Sequence, residues 1–484
     1  MTESRFDVII IGAGLSGIGA AVHLQTRSPG RTYAILEGRE AIGGTWDIFR
    51  YPGVRSDSDM YTLGYAFKPW TQAKAIADGP AILDYVRETA REHGIEPHIR
   101  FGHKVLRAEW SSEDSTWRVE AQQTDGTLVT LSCSFLFLCG GYYSYAGGYM
   151  PDYPGVADFQ GELVHPQAWP EHLDHAGKTV VVIGSGATAV TLVPEMAETA
   201  ERVTMLQRSP TYVVSRPAED AGANWLRTKL PPKLAYSLVR WRNVLFGMYF
   251  FRLARKRPAQ VKARIIEMVR DQLGPDFDVE THFTPSYNPW DQRLCLVPDS
   301  DLFLALKSGK AEVVTDHIET FTPSGLRLRS GRTLEADIVV SATGLNLEVL
   351  NGVALSVDGQ AVDPSKTLSY KGMMYSDVPN LASAFGYTNA SWTLKCDLTC
   401  EYVCRLLNHM ARTGQTQATP RNLGADIGLE PWLDFSSGYV QRSIDRFPKQ
   451  GDRAPWKLHQ NYALDLMHLR YGRLDDGVMT FSRP

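Results

Sequence analysis

The chain has 484 residues and a mass of 53.9 kDa, room for two or three packed cores rather than one. Its 50 Lys and Arg against 54 Asp and Glu leave a net charge of −4, too balanced for a protein that works by neutralising a nucleic-acid backbone. A hydrophobic content of 43% and a charged content of 21% fit a globular chain, and six cysteines without a C-x-x-C pair exclude a disulfide framework.

The first element in chain order is the apolar run Val8-Ile9-Ile10-Ile11, which predicts a buried strand. It follows Glu3 and Asp7 rather than a basic segment, so no secretion signal is expected, and a cytoplasmic location is. Next come Gly12-x-Gly14-x-x-Gly17, with Ser16 inside the triplet, and a helical stretch. Gly12 permits a tight turn, Gly14 admits a pyrophosphate to the backbone, and Gly17 lets helix and strand pack closely. A second strand, Tyr33-Ala34-Ile35-Leu36, ends in Glu37, twenty residues past Gly17, where a carboxylate accepts hydrogen bonds from a ribose diol. This unit predicts a dinucleotide site.

The same pattern recurs downstream. Thr179-Val180-Val181-Val182-Ile183 leads into Gly184-Ser185-Gly186-Ala187-Thr188-Ala189-Val190, and the strand Val203-Thr204-Met205-Leu206 ends in Gln207-Arg208-Ser209 instead of an acid. An acid repels a 2′-phosphate and an arginine grips one, so the first site is expected to take FAD and the second NADPH. Phe135-Leu136-Phe137-Leu138-Cys139-Gly140-Gly141 and Asp337-Ile338-Val339-Val340-Ser341-Ala342-Thr343-Gly344 read as the strands closing the two folds. The expected architecture is α/β, with two Rossmann-like domains, the second inserted in the first. The segments are residues 1–146 and 345–484 for FAD, 147–223 and 288–344 for NADP, and 224–287 for a helical insertion.

That insertion is basic: residues 224–271 carry twelve Lys and Arg against Glu267 and Asp271, interleaved with Trp241, Leu245, Phe246, Tyr249, Phe250 and Phe251. Two readings stand. One is a lid whose aromatics line a substrate tunnel; the other is a peripheral contact with an anionic membrane. Further on, Cys396, Cys400 and Cys404 share one helix face and read as core residues, and no metal site is expected.

Phe159-x-Gly161-x-x-x-His165-x-x-x-Trp169-Pro170 matches the fingerprint of type I Baeyer-Villiger monooxygenases, and Gly43-Gly44-x-Trp46, Tyr51-Pro52-Gly53 and Asp57 fit a second signature of that family. The chain therefore resembles these flavoproteins over almost its whole length. Residues 43–70, 288–298 and 386–395 look most like its mycobacterial, prodrug-activating branch.

The resemblance implies FAD on Ser16, Glu37, Thr45, Trp46, Asp47, Asp57 and the backbone of Val105. It implies NADP on Arg55, Ser56, Asp57, the turn from Gly184 to Val190, Arg208 and Ser209. The family's essential arginine falls on Arg293, oriented by Asp57; where many relatives place a phosphate-binding lysine just before it, this chain has Gln292. The implied chemistry runs through a C4a-peroxyflavin that converts ketones to esters or lactones with NADPH and O2, and that also oxidises thioethers and thioamides. His165 is expected to pack at a domain crossing, and Trp392 to shape the pocket over the flavin. The alternatives are a flavin-containing monooxygenase acting only on sulfur or nitrogen and, from another class, a regulator that senses NADPH. A disulfide reductase would need a redox cysteine pair that the chain lacks.

Overall fold

The computed structural model describes residues 4–292, 294–422, 426–433 and 435–484. The apolar run at the start is the end of strand Ser4–Ile11, fully buried from Val8 to Ile11. It pairs in parallel with Tyr33–Leu36 on one side and Leu128–Leu138 on the other, so that Ile10 lies between Ile35 and Phe137. A strand covered on both faces needs apolar side chains at every position rather than at alternate ones, which is why this run is continuous.

The sheet widens through an antiparallel meander, His103–Ser111, Thr116–Gln123 and Leu128–Leu138, whose last strand carries the apolar run from Phe135 to Leu138. Late in the chain, Ala354–Val357 joins His103–Ser111 and Leu381–Ser383 joins Leu128–Leu138, both in parallel. The chain thus leaves the first domain and returns to it. Between departure and return stands a second, five-stranded parallel sheet in the order Ala311–Thr315, Arg202–Gln207, Thr179–Ile183, Ile338–Ser341, Glu162–Val164. A small antiparallel sheet, Ile318–Thr322 with Gly325–Leu328 and Thr333–Glu335, covers one of its faces, packing Phe321, Leu326 and Leu328 against Val181 and Val339.

Helix Trp392–Thr413 lies beside helix Leu15–Arg27 and buries Cys396, Cys400 and Cys404, which are core residues as their spacing suggested. Cys396 Sγ lies 3.5 Å from Ser16 Oγ. The insertion comprises Ala221–Lys229, Pro232–Lys256, Pro258–Leu273 and Val279–Phe283. Asp220 accepts a hydrogen bond from the amide of Ala223, and Asp278 from that of Thr281, so two of these helices start on a capping carboxylate. Helix Pro232–Lys256 buries Ala235, Tyr236, Val239, Arg240 and Val244 toward the first domain. There Arg240 donates to the carbonyls of Tyr61 at 2.8 Å and Gly64 at 2.7 Å, and its Nη2 lies 3.4 Å from Asp397 of the long C-terminal helix.

Of the insertion's aromatics, Phe250 and Phe251 are half-buried, the Phe251 ring 5.6 Å from that of Trp290. Trp241, Leu245, Phe246 and Tyr249 are exposed, and no residue from 224 to 287 lines the cleft between the two dinucleotide folds. The buried side of helix Pro232–Lys256 is built from other residues, and Trp241, Leu245 and Tyr249 occupy the opposite side. Among the described residues no helix is long and apolar enough to cross a membrane.

Candidate active site

The glycine turn of the first domain is held by close contacts that exclude side chains. A Cβ on Gly17 would stand 1.9 Å from the carbonyl oxygen of Gly12, and one on Gly12 would stand 2.7 Å from the Cα of Gly140. Gly12 has φ +99°, a region that glycine enters without cost. Gly14 caps helix Leu15–Arg27 with no side chain over the helix end, so the first amides stay open to an anion. Glu37 is buried and braces the turn: its Oε2 accepts from the amide of Ala13 at 2.7 Å and its Oε1 from that of Arg39 at 2.9 Å. Burial pushes its carboxyl above the ordinary range, against the pull of those two amides and of Arg39.

The second turn repeats this construction. A Cβ on Gly184 would meet the carbonyl oxygen of Ala342 at 2.4 Å, at the exit of that domain's closing strand, and Gly186 caps helix Ala187–Met196 with nothing within 4 Å of its own Cβ position. Both turns open on one cleft of about 560 Å³, to which the first contributes Gly12, Gly14 and Ser16 and the second Ala187 and Thr188. Glu37, Thr45, Trp46, Arg55, Ser56, Asp57 and Val105 also line it.

Several expected residues lie outside that wall. Gly17 is a packing position, and Ala189 and Val190 are buried inside their helix. Gly184, Ser185 and Gly186 form the rim of the turn rather than the cleft wall, with Ser185 Oγ donating to the carbonyl of Ser209 at 3.2 Å. Asp47 is buried in an ionic cluster, 2.6 Å from Arg39, 3.0 Å from Arg87 and 3.6 Å from Arg50, which ties its short helix to the first domain. Arg208 is exposed at the end of its strand, where its charge acts on Arg442. Burial and that neighbouring charge hold the Arg442 guanidinium below its ordinary range while it stacks 3.6 Å over Tyr149. Arg293 lies outside the described residues.

Arg55 has the clearest ligand-ready geometry in the cleft. Its Nη1 donates to Asp301 Oδ2 at 2.5 Å, whereas Nε and Nη2 are buried without a hydrogen-bond partner. A buried guanidinium with two unused donors is costly unless an anion completes it, so the residues present fit a phosphate-bearing nucleotide. Asp57 stands nearby and accepts from Ser58 Oγ at 3.5 Å. With burial first and the Asp57 charge adding to it, the Tyr51 phenol is pushed up to about 12, so it is neutral at any ordinary pH.

An aromatic wall closes the other side. Tyr142 stacks on Trp392 with centroids 5.3 Å apart, Phe385 lies 5.1 Å from Tyr142, and the Trp392 indole donates to Ser16 Oγ at 2.8 Å. Tyr387, Ala390 and Trp392 line the cleft. Tyr142, Asp301 and Arg442 were missed in the sequence; a Gly-Gly-Tyr exit from the closing strand was the one local signal for Tyr142. His165 sits at the crossing between domains, its Nδ1 accepting from the amide of Gln167 at 3.1 Å and its Nε2 3.1 Å from the carbonyl of Gly344. Burial lowers its proton affinity.

The family model described as flavin-binding monooxygenase-like matches residues 75–228, and one for an NAD(P)-binding Rossmann-like domain matches residues 10–78. The FAD-containing monooxygenase EthA of Mycobacterium tuberculosis is 54% identical, over 100% of this chain and 99% of its own. The probable FAD-binding monooxygenase AlmA of Acinetobacter baylyi is 48% identical, over 99% and 97%. Among solved structures, an oxidized steroid monooxygenase bound to NADP superposes with a TM-score of 0.77 at 21% identity, over 99% of this chain and 100% of that one. Cyclohexanone monooxygenase from Rhodococcus sp. Phi1 bound to NADP+ gives 0.72 at 21% identity, over 87% of both.

Proposed function

Because this chain belongs to the family of FAD-containing monooxygenases, we propose that it is an NADPH-dependent flavoprotein that inserts one atom of O2 beside the carbonyl of a ketone, giving an ester or lactone. The observation that carries this reading is the shared cleft: two glycine turns on two dinucleotide folds open into one space, with Arg55, Asp57 and the Tyr142–Trp392 wall around it. Hydride transfer requires two cofactors to meet there, and oxygen insertion requires water to be kept out.

The residues divide the work by their chemistry. The open helix ends at Gly14 and Gly186 receive the two pyrophosphates, and Glu37 takes the ribose of FAD. Arg55 holds NADP through Nε and Nη2, and Arg208 selects the 2′-phosphate. FAD, once reduced by NADPH, supplies the activation of O2. The resemblance assigns to Arg293 the fixed positive charge that oxygen transfer needs, a role that suits a side chain protonated at every working pH, and to Asp57 the part of its partner. The stoichiometry balances as ketone, O2, NADPH and a proton giving ester, NADP+ and water.

The test is a coupled assay on the yellow holoenzyme, following NADPH loss and organic product with a linear ketone and with a thioether. Ester formed in proportion to NADPH supports the reading. Sulfoxide formed while ketones are left untouched replaces it with a monooxygenase confined to sulfur.

A further inference from the structure

Helix Pro232–Lys256 has two apolar faces, and the protein covers only one. Ala235, Tyr236, Val239 and Val244 pack inward. On the other side Leu234, Leu238, Trp241, Leu245 and Tyr249 are exposed, at 48, 48, 39, 56 and 64%. At roughly 100° per residue their spacing confines them to an arc of about 80°, and at ~1.5 Å per residue the stripe runs for about 22 Å. An unbroken stripe of Leu, Trp and Tyr facing water is unlike the scattered single apolar residues of an ordinary surface.

Charge identifies what covers it. The next positions along the same stripe are Arg252 and Lys256, both exposed, and Lys229 and Lys233 flank its other end. None of the four has a carboxylate partner among the described residues. Residues 224–271 carry a net +10 in a chain whose total is −4, and although Arg242, Arg255 and Arg270 pair with Asp220, Asp291 and Glu280 outside that segment, Arg252 and Lys256 extend the stripe itself. A second copy of the chain is a poor occupant, since a two-fold contact brings the same patch against itself and sets its exposed Lys229, Lys233, Arg252 and Lys256 against their own copies. An anionic bilayer offers apolar depth under the stripe and phosphates around it, the arrangement in which amphipathic helices lie in the headgroup plane.

We propose that this outer face of helix Pro232–Lys256 is a peripheral docking surface for an anionic phospholipid bilayer. The helix lies along the membrane with Leu238, Trp241 and Leu245 among the acyl chains, while Arg240 on its buried side keeps it tied to the first domain. The proposal does not depend on which substrate the enzyme oxidises.

Flotation of the FAD-loaded protein with vesicles tests it. Binding to phosphatidylcholine vesicles containing phosphatidylglycerol is expected at low salt, falling about tenfold for pure phosphatidylcholine or at high salt. Leu238→Glu combined with Leu245→Glu should lower binding at least about tenfold while FAD content, melting temperature and NADPH oxidation stay as in the parent. Should that variant lose FAD, Arg252→Glu combined with Lys256→Glu makes the same test without touching an apolar position. Absence of binding at low salt, or undiminished binding by a correctly folded variant, overturns the proposal. So does a concentration-dependent dimer that the Leu238 and Leu245 changes dissolve, which would make the stripe a contact between copies.

Discussion

Asp301 fixes Arg55 by one end and leaves its Nε and Nη2 without a hydrogen-bond partner. The 2.5 Å contact from Nη1 joins the helix Asp301–Lys307 of the second domain to a loop of the first, and Nε and Nη2 are both buried. The two domains are thus coupled through the side chain that we assign to NADP. Asp301→Asn should preserve shape while removing the charge that orients Arg55. The expected result is a roughly tenfold higher KM for NADPH, equivalent to about 1.4 kcal/mol, with kcat and FAD content little changed. Steady-state kinetics beside a flavin absorbance spectrum separates the two effects.

Arg208 and Arg442 form a pair of like charges near the second turn, and a 2′-phosphate would relieve their repulsion. Arg208→Ala should reduce the preference for NADPH over NADH by about ten- to a hundredfold, the range of one lost charged hydrogen bond. Arg442→Ala should lower it as well. Ratios of kcat/KM for the two nucleotides measure both.

The ionic centre beneath the insertion sets acid stability. Burial by itself would raise the Asp397 carboxyl, but His23, Arg240 and the Ala66 amide together hold it below the usual carboxylate range. A depressed carboxylate stabilises the fold above its ordinary value near ~3.9, and that stabilisation is lost as pH falls through the lower, folded value. Asp397→Asn should therefore cost on the order of 3 kcal/mol at neutral pH, and its stability should vary less than the parent's below about pH 4. Urea unfolding at a series of pH values decides this.

Trp392 is both a wall and a brace, stacking on Tyr142 and donating to Ser16. Trp392→Ala should open the cleft and shift relative rates toward bulkier ketones, whereas Trp392→Phe should keep the ring and lose only the hydrogen bond. Competition between a short and a long linear ketone reads the difference. Equal ratios in parent and Trp392→Ala would remove Trp392 from the substrate wall.

Local patterns were legible in the sequence, and long-range pairings were not. The glycine turns, Glu37 and Arg208 are written within forty residues of one another in each unit, because strand, turn and helix are made by neighbours. Asp301 meets Arg55 across 246 positions and Trp392 meets Ser16 across 376, so nothing local announces either pair. The aromatics of the insertion teach a different lesson. A helical period reports that a face is apolar, and the same period arises whether a tunnel, a core or a bilayer covers that face. Only the position of Tyr236, Val239 and Arg240 on the inner side shows that Trp241 and Leu245 turn outward.

The most direct measurement is product analysis under heavy-isotope dioxygen, with NADPH and a linear ketone, for the parent and for Arg293→Ala. The parent should give an ester carrying one labelled oxygen. The variant should lose ester by at least about a hundredfold with NADPH oxidation retained, the scale of removing one stabilising charge from an oxygen-transfer site. Unlabelled product, or labelled hydrogen peroxide released in step with NADPH and no ester from the parent, would contradict oxygen insertion by this protein.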